Sequence, residues 1–282
     1  MSNEATIDHD LPEHPTYNDV RIQVLPTIHA VSTESGYAKT VKRIEDLGVS
    51  FFKKGFNNFF FLEDGVGIIA PRVEELNDAA RRYGSFRMAY LRVVGGGMYR
   101  NDAFARMTAK KLDQNPVGFN IKSTRLEGRP DHEAYVRAFV YGQFAAMDNI
   151  VQKGYDLTVV AEKPADDRRK EELSMGGEDA TLWWKEFARL SRLADINIAS
   201  QIEQIVFQNP ERTRLMAIVG YFHLQIEKHL PENLRHLCET VKLHPEFPTP
   251  EVVTFFQKIQ DGRLTDTQIE EMAKQVKVTF PL

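Results

Sequence analysis

Two histidines and one glutamate each follow a short apolar run in this sequence, and their types suit hydrolytic chemistry. His29 lies just beyond the run 20–26, and Glu63 and His223 follow similar runs further along the chain. Short apolar runs of this kind are typical of buried β-strands. Because ligands of open α/β sheets bind beyond the carboxyl ends of the strands, we expect these three side chains to meet at one sheet edge.

Two imidazoles and a carboxylate can activate water in two ways. Neutral histidine and glutamate are ligands of zinc, manganese or iron, and water bound to such a metal becomes a nucleophile near neutral pH. Without a metal, a histidine can act as general base while Glu63 orients it. We therefore predict that His29, Glu63 and His223 are catalytic, and that the same three residues are the ligands if one divalent metal ion binds.

The rest of the chain alternates between strand-like and helix-like patterns. We predict strands at 20–26, 58–63, 86–94, 155–162, 214–220 and 276–280. We predict helices over a segment containing Tyr37 to Leu47, and at 72–83, 101–113, 132–153, 180–207, 224–240, 250–260 and 265–275. This alternation favours an α/β fold with a mostly parallel sheet, helices on both of its faces, and helical insertions.

The length of the chain and the composition of its first residues predict the domain organisation. A chain of 282 residues can bury a full core as one large domain. Residues 1–18 are acidic, contain Pro12 and Pro15, and are predicted to be a flexible lead-in. Residues 19–282 are predicted to form a single α/β domain, with helical insertions around 100–150 and 165–207.

Composition excludes several classes of function. The 36 basic and 40 acidic residues give a net charge of −4 and are scattered, so we expect no nucleic-acid partner. The lone Cys238 excludes an intrachain disulfide and a cysteine-based zinc site. No apolar run reaches the roughly 18 residues of a membrane span, and the start of the chain is unlike a secretory signal. The default expectation is a cytoplasmic protein, and the sequence leaves homo-oligomer formation open.

The order and placement of these motifs resemble the superfamily that joins TraB and Tiki proteins, erythromycin esterases and ChaN haem-binding proteins. The matching segments are Pro26-Thr27-Ile28-His29, Leu62-Glu63, Gly220-Tyr221-Phe222-His223 and the helical segment Ala194-Asp195-Ile196-Asn197-Ile198-Ala199. Two positions depart from the family pattern. Pro26 stands where a glycine is expected, and Ala194 stands where an arginine is usual.

The resemblance implies a hydrolase of the Tiki or erythromycin-esterase type, metal-dependent, acting on an ester, amide or peptide bond of a small molecule or peptide. Asp195 and Asn197 are then expected to line the same edge as ligand-binding residues, and Arg100 is a candidate replacement for the missing arginine. The ChaN branch implies an alternative, a non-catalytic member that binds haem, a metal or a small molecule. A third alternative is a protein-interaction scaffold. The two departures favour the non-catalytic alternatives, and retention of all three ionisable residues favours the hydrolase.

Overall fold

A five-stranded, all-parallel β-sheet forms the centre of the fold. The computed structural model describes residues 17–27, 34–63, 69–94, 102–114, 130–163, 180–244 and 249–275. Within these ranges the strands are β1 (Arg21–Thr27), β2 (Asn57–Leu62), β3 (Thr158–Ala161), β4 (Thr213–Gly220) and β5 (Cys238–Thr240). Their order across the sheet is β3-β2-β4-β1-β5, and every neighbouring pair is parallel.

The helices pack on both faces of this sheet. They are α1 (Glu34–Phe51), α2 (Val73–Tyr83), α3 (Phe86–Val94), α4 (Asp102–Gln114), α5 (Pro130–Gln152), α6 (Ala180–Gln208), α7 (Ile226–His229), α8 (Glu232–Arg235), α9 (Pro250–Gln260) and α10 (Asp266–Gln275). A 3-10 turn at Ala70–Arg72 precedes α2. In the described parts of the chain, no helix combines the length and the apolar character that crossing a bilayer requires.

The strands are apolar on both faces because both faces are covered. All eight residues of β4 are buried, and the consecutive residues Phe60 and Phe61 of β2 point into different cores. Phe60 packs with residues of α1 and α5, whereas Phe61 packs with residues of α6. Burial on both faces is what a parallel sheet with helical crossovers requires. The predicted α/β architecture is therefore confirmed.

A separate apolar cluster lies beside the sheet and joins α6 to α9. We call it the aromatic cluster, and its rings are Trp184, Phe187, Tyr221, Phe222, Phe255 and Phe256. Phe256 is its centre, with ring centroids 4.9 Å from Phe222 and 5.5 Å from Trp184. Edge-to-face contacts of this kind add stability beyond the burial of apolar area. The cluster thus fixes α9 against both α6 and the segment that follows β4.

Several sequence predictions concern residues outside the described ranges. These are the lead-in up to residue 16, the final strand at 276–280 and residues 165–179, the first part of the insertion predicted around 165–207. The division into a lead-in and one domain stays a prediction. Among the described residues, the helix at 180–207 proves to be one continuous helix of 29 residues, α6.

The predicted strand at 86–94 is wrong, because this segment is helix α3. Its start is capped in two ways. The Ser85 hydroxyl accepts a hydrogen bond from Met88 N at 3.3 Å, and the Asp148 carboxylate accepts one from Phe86 N at 2.5 Å. Capping of otherwise unpaired N–H groups favours a helix even when the sequence is rich in strand-forming residues.

Replacing Asp148 with asparagine is expected to destabilise the protein by about 3 kcal/mol, as is usual when one partner of a buried charge pair is removed. The Asp148 carboxylate is buried and also accepts from Ser85 Oγ and Arg87 Nε, both at 2.7 Å. Urea unfolding measures the change. The matched control is Asp78→Asn, since Asp78 is exposed. Equal effects of the two substitutions would show that the cap at α3 contributes nothing.

The predicted helix at 224–240 is also wrong. The segment forms the short helices α7 and α8 and then the edge strand β5. Pro231 explains the break, because it lacks an N–H and forces the preceding Leu230 into extended backbone (ψ 147°). Cys238 then pairs with Ile22 of β1, which adds a fifth strand to the sheet.

Candidate active site

The sheet topology brings the predicted residues Glu63 and His223 to one edge. Strand β4 lies between β1 and β2, and all three run in the same direction. Glu63 follows β2 and its N–H donates to Ile218 O at 3.2 Å, while His223 follows β4 by three residues. His29, two residues beyond the end of β1, lies outside the described residues. Its participation stays a prediction.

His223 lies between two carboxylates. Its Nδ1 donates to Asp195 Oδ1 at 2.7 Å, and its Nε2 lies 3.3 Å from Glu63 Oε1. Asp195 belongs to α6 and is fully buried, and its second oxygen accepts from Gln225 N at 3.3 Å. The imidazole therefore has a fixed orientation, with Nδ1 directed to α6 and Nε2 directed to the end of β2.

Gly220 allows the glutamate to approach the chain closely. Gly220 N donates to Glu63 Oε2 at 2.5 Å. A Cβ atom at position 220 would lie 3.3 Å from that oxygen, which is tight, and 3.6 Å from Cδ2 of His223, which is an ordinary van der Waals contact. The turn that follows is closed by a hydrogen bond from His223 N to Gly220 O at 2.9 Å. The glycine of the Gly-x-x-His motif thus leaves room for Glu63 to bind the backbone beside the imidazole.

The two carboxylates favour the charged form of His223. Burial lowers the pKa of this imidazole, but the charges of Glu63 and Asp195 and their hydrogen bonds outweigh it and raise the pKa well above 6.5. The ring is only 6% exposed, so solvent screens these interactions weakly. The favoured form is therefore the one in which each ring nitrogen donates to one acid.

A third acid, fully buried, lies at the same edge, and the sequence pattern did not single it out as a site residue. Glu162 directly follows β3, is fully buried, and its N–H donates to Leu62 O at 2.8 Å. Asn197 Nδ2 lies 3.4 Å from Glu162 Oε1 and donates to Lys163 O at 3.0 Å. Asn197 therefore contacts the end of β3 rather than His223. The signal was present, since β3 ends in a carboxylate just as β2 does.

The Glu63–His223 pair would suit a divalent metal that displaces the proton on Nε2, because a neutral imidazole nitrogen and a carboxylate are both metal ligands. Two ligands that share a metal at about 2 Å lie roughly 3.3 Å apart in tetrahedral geometry, which matches the distance between Nε2 and Oε1. Asp195 on the opposite nitrogen is the partner that metal-binding histidines commonly have. Within the described ranges, no set of three or more His, Cys, Asp or Glu residues is arranged around a common metal position. The metal prediction thus depends on His29.

Comparisons of the chain with protein-family models, with curated proteins and with solved structures found no match. The resemblance to the TraB, Tiki and erythromycin esterase superfamily stays a prediction. Arg100, the candidate replacement for the family arginine, lies outside the described residues. What the geometry itself defines is an acid–imidazole–acid arrangement at the carboxyl edge of a parallel sheet, in which Asp195 and His223 are buried and Glu63 is partly exposed.

Proposed function

We propose that the chain is a hydrolase that uses Glu63 and His223 to activate water against an ester, amide or peptide bond. The observation that carries the proposal is the 3.3 Å distance between Glu63 Oε1 and His223 Nε2, with Asp195 bound to the opposite ring nitrogen. A base and an acid in direct contact can exchange a proton without solvent. This contact forms where ligands of open α/β sheets bind.

The protonation states support a division of roles. The Glu63 carboxylate takes a proton from water, and the water oxygen attacks the substrate carbonyl. The His223 imidazolium gives its Nε2 proton to the departing oxygen or nitrogen, so the products are a carboxylic acid and an alcohol or amine. Transfer of the proton from Glu63 to His223 restores the starting state. Asp195 holds the Nδ1 proton throughout and orients the ring.

The metal-dependent form of the proposal uses the same residues. Glu63 and His223 would hold a divalent metal together with His29, and the metal would supply Lewis-acid activation of the water. Assays with and without a chelator, and with added zinc or manganese, distinguish the two forms.

The test is hydrolysis of a panel of ester, amide and peptide substrates by the purified chain. The variant Glu63→Gln is expected to lose most of the activity and to keep the fold, because glutamine can still accept from Gly220 N. Its matched control is Glu211→Gln, an exposed glutamate before β4. A wild-type chain that cleaves none of the panel, or activity that survives in Glu63→Gln, contradicts the proposal. Tight binding of haem without hydrolysis would support the non-catalytic alternative.

A further inference from the structure

A buried pair of glutamines joins helix α9 to the segment that carries His223. Gln225 Nε2 donates to Gln260 Oε1 at 2.9 Å, and Gln260 Nε2 donates to Phe222 O at 3.3 Å. Both side chains are buried. The amide oxygen and the amide nitrogen of Gln260 therefore both bind the segment 222–225, one on each side of His223.

The segment between these contacts is held at its beginning and at its end. Its beginning is the turn in which His223 N donates to Gly220 O, and its end is Gln225, whose N–H donates to Asp195 Oδ2 at 3.3 Å. The same carboxylate accepts from the His223 ring through its other oxygen. A change in the position of Gln225 therefore displaces one of the two bonds that orient Asp195.

The surroundings of the glutamine pair make the contacts specific. Gln260 is the last residue of α9, and α9 packs through Phe255 and Phe256 in the aromatic cluster. Buried amides in apolar surroundings need hydrogen-bond partners, so each glutamine fixes the other. Apolar packing places the helix, and the amides select one conformation of the segment.

We propose that Gln260 is a positioning residue for His223: through Phe222 O and Gln225 it holds the imidazole between Asp195 and Glu63. Gln260 is more than thirty positions away in sequence, and its amide bonds to Gln225 and Phe222 O, the residues on either side of the ring. Its consequence for catalysis rests on the proposed hydrolase function, whereas its effect on the ring geometry does not.

The test is the substitution Gln260→Met, which keeps the size and removes the amide. The readout is the NMR signal of the His223 Nδ1 proton, which is shifted far downfield when the ring donates to a buried carboxylate. The variant His223→Gln assigns this signal among the eight histidines. In Gln260→Met we expect the signal to move upfield or to disappear through exchange with water. The matched control is Gln257→Met, a half-buried glutamine one turn earlier in α9, in which the signal is expected to stay.

A purely structural role of Gln260 gives a different result. It would lower the melting temperature and leave the His223 signal of the folded protein as in the wild type, and this outcome overturns the proposal. Should Gln260→Met not fold, Gln225→Met removes the bond between the two side chains, and the same upfield change is expected. An unchanged signal in a folded Gln225→Met protein would equally overturn it.

Activity adds a second readout if the wild-type chain hydrolyses a substrate. Gln260→Met is then expected to lower kcat about tenfold or more with little change in KM, since the residue orients an acid and does not contact the substrate. If the wild-type chain shows no hydrolysis, the proposed function fails, while the NMR result still decides whether Gln260 positions His223.

Discussion

Replacement of His223 with glutamine is expected to reduce kcat for hydrolysis by a factor of about 10²–10⁴, the range in which a general acid or base contributes. Glutamine can still donate one hydrogen bond, but it cannot give a proton to a leaving group. The loss should be larger for amides than for activated esters, because an amine leaves only after it is protonated. Steady-state kinetics on a matched ester and amide pair measure both effects.

The pH profile separates this role from a loss of stability. In the wild type the raised pKa of His223 should place the alkaline limb of kcat/KM well above 6.5, because activity is lost only when the imidazolium loses its proton. The residual activity of His223→Gln should lack that limb. His236→Gln, a change at an exposed histidine, should leave the profile intact. If the alkaline limb persists in His223→Gln, another residue is the general acid.

Replacement of Asp195 with asparagine is expected to destabilise the fold by about 3 kcal/mol near pH 6.5. Asparagine removes one charge that compensates the buried imidazolium. It also turns an amide N–H toward Gln225 N or toward the His223 ring, so that two donors face each other at one of these positions. Urea unfolding of Asp195→Asn beside Asp156→Asn, an exposed aspartate, measures the difference.

The same variant should change how stability depends on pH. Because the pKa of His223 is raised on folding, the native state binds more protons than the unfolded state above pH 6.5. The stabilisation is complete below the unfolded pKa and is lost as pH rises through the folded pKa, with a slope of at most about 1.4 kcal/mol per pH unit. In Asp195→Asn the pKa of His223 moves toward 6.5, so this slope should shrink. If the dependence of unfolding free energy on pH is the same in Asp195→Asn as in the wild type, the ion pair between Asp195 and His223 is contradicted.

Among the residues that the structure describes, the other groups with shifted pKa values leave the interval from about pH 6.5 to 8 clear for this measurement. Burial lowers the pKa of His229 and His244, so these residues cost stability only as pH falls toward and below 6.5. Burial raises the pKa of Cys238 to about 12, and this costs stability only above the ordinary thiol pKa of about 8.5. Unfolding free energies at pH 6.5, 7.2 and 8 therefore report mainly on His223.

The sequence predicted the α/β fold because short apolar runs, among them those that form β1, β2 and β4, alternate with segments of helical spacing. It also predicted that Glu63 and His223 would lie at one edge, since parallel strands place their ends together. It could not predict α3, because Phe86 to Val94 consists largely of residues that suit either element. The deciding contact comes from Asp148, more than fifty residues away.

The acid that binds His223 was predicted only in part. The sequence singled out Asp195 as a ligand-binding residue, which stays a prediction, but it did not indicate that this carboxylate binds the His223 imidazole. The glutamines at 225 and 260 carried no signal, because a buried glutamine has the same sequence pattern as an exposed one. Only tertiary packing brings them into contact.

The order of strands in the sheet bears on how the protein reaches its folded state. β4 occupies the middle of the sheet, yet it is formed by residues 213–220, long after its neighbours β1 and β2 have been synthesised. Before β4 is synthesised, no described strand connects β1 to the paired strands β2 and β3. Pairings between such distant segments are slow to form, because a long loop must close first. During synthesis, the step that inserts β4 between β1 and β2 is thus the same step that brings His223 to Glu63.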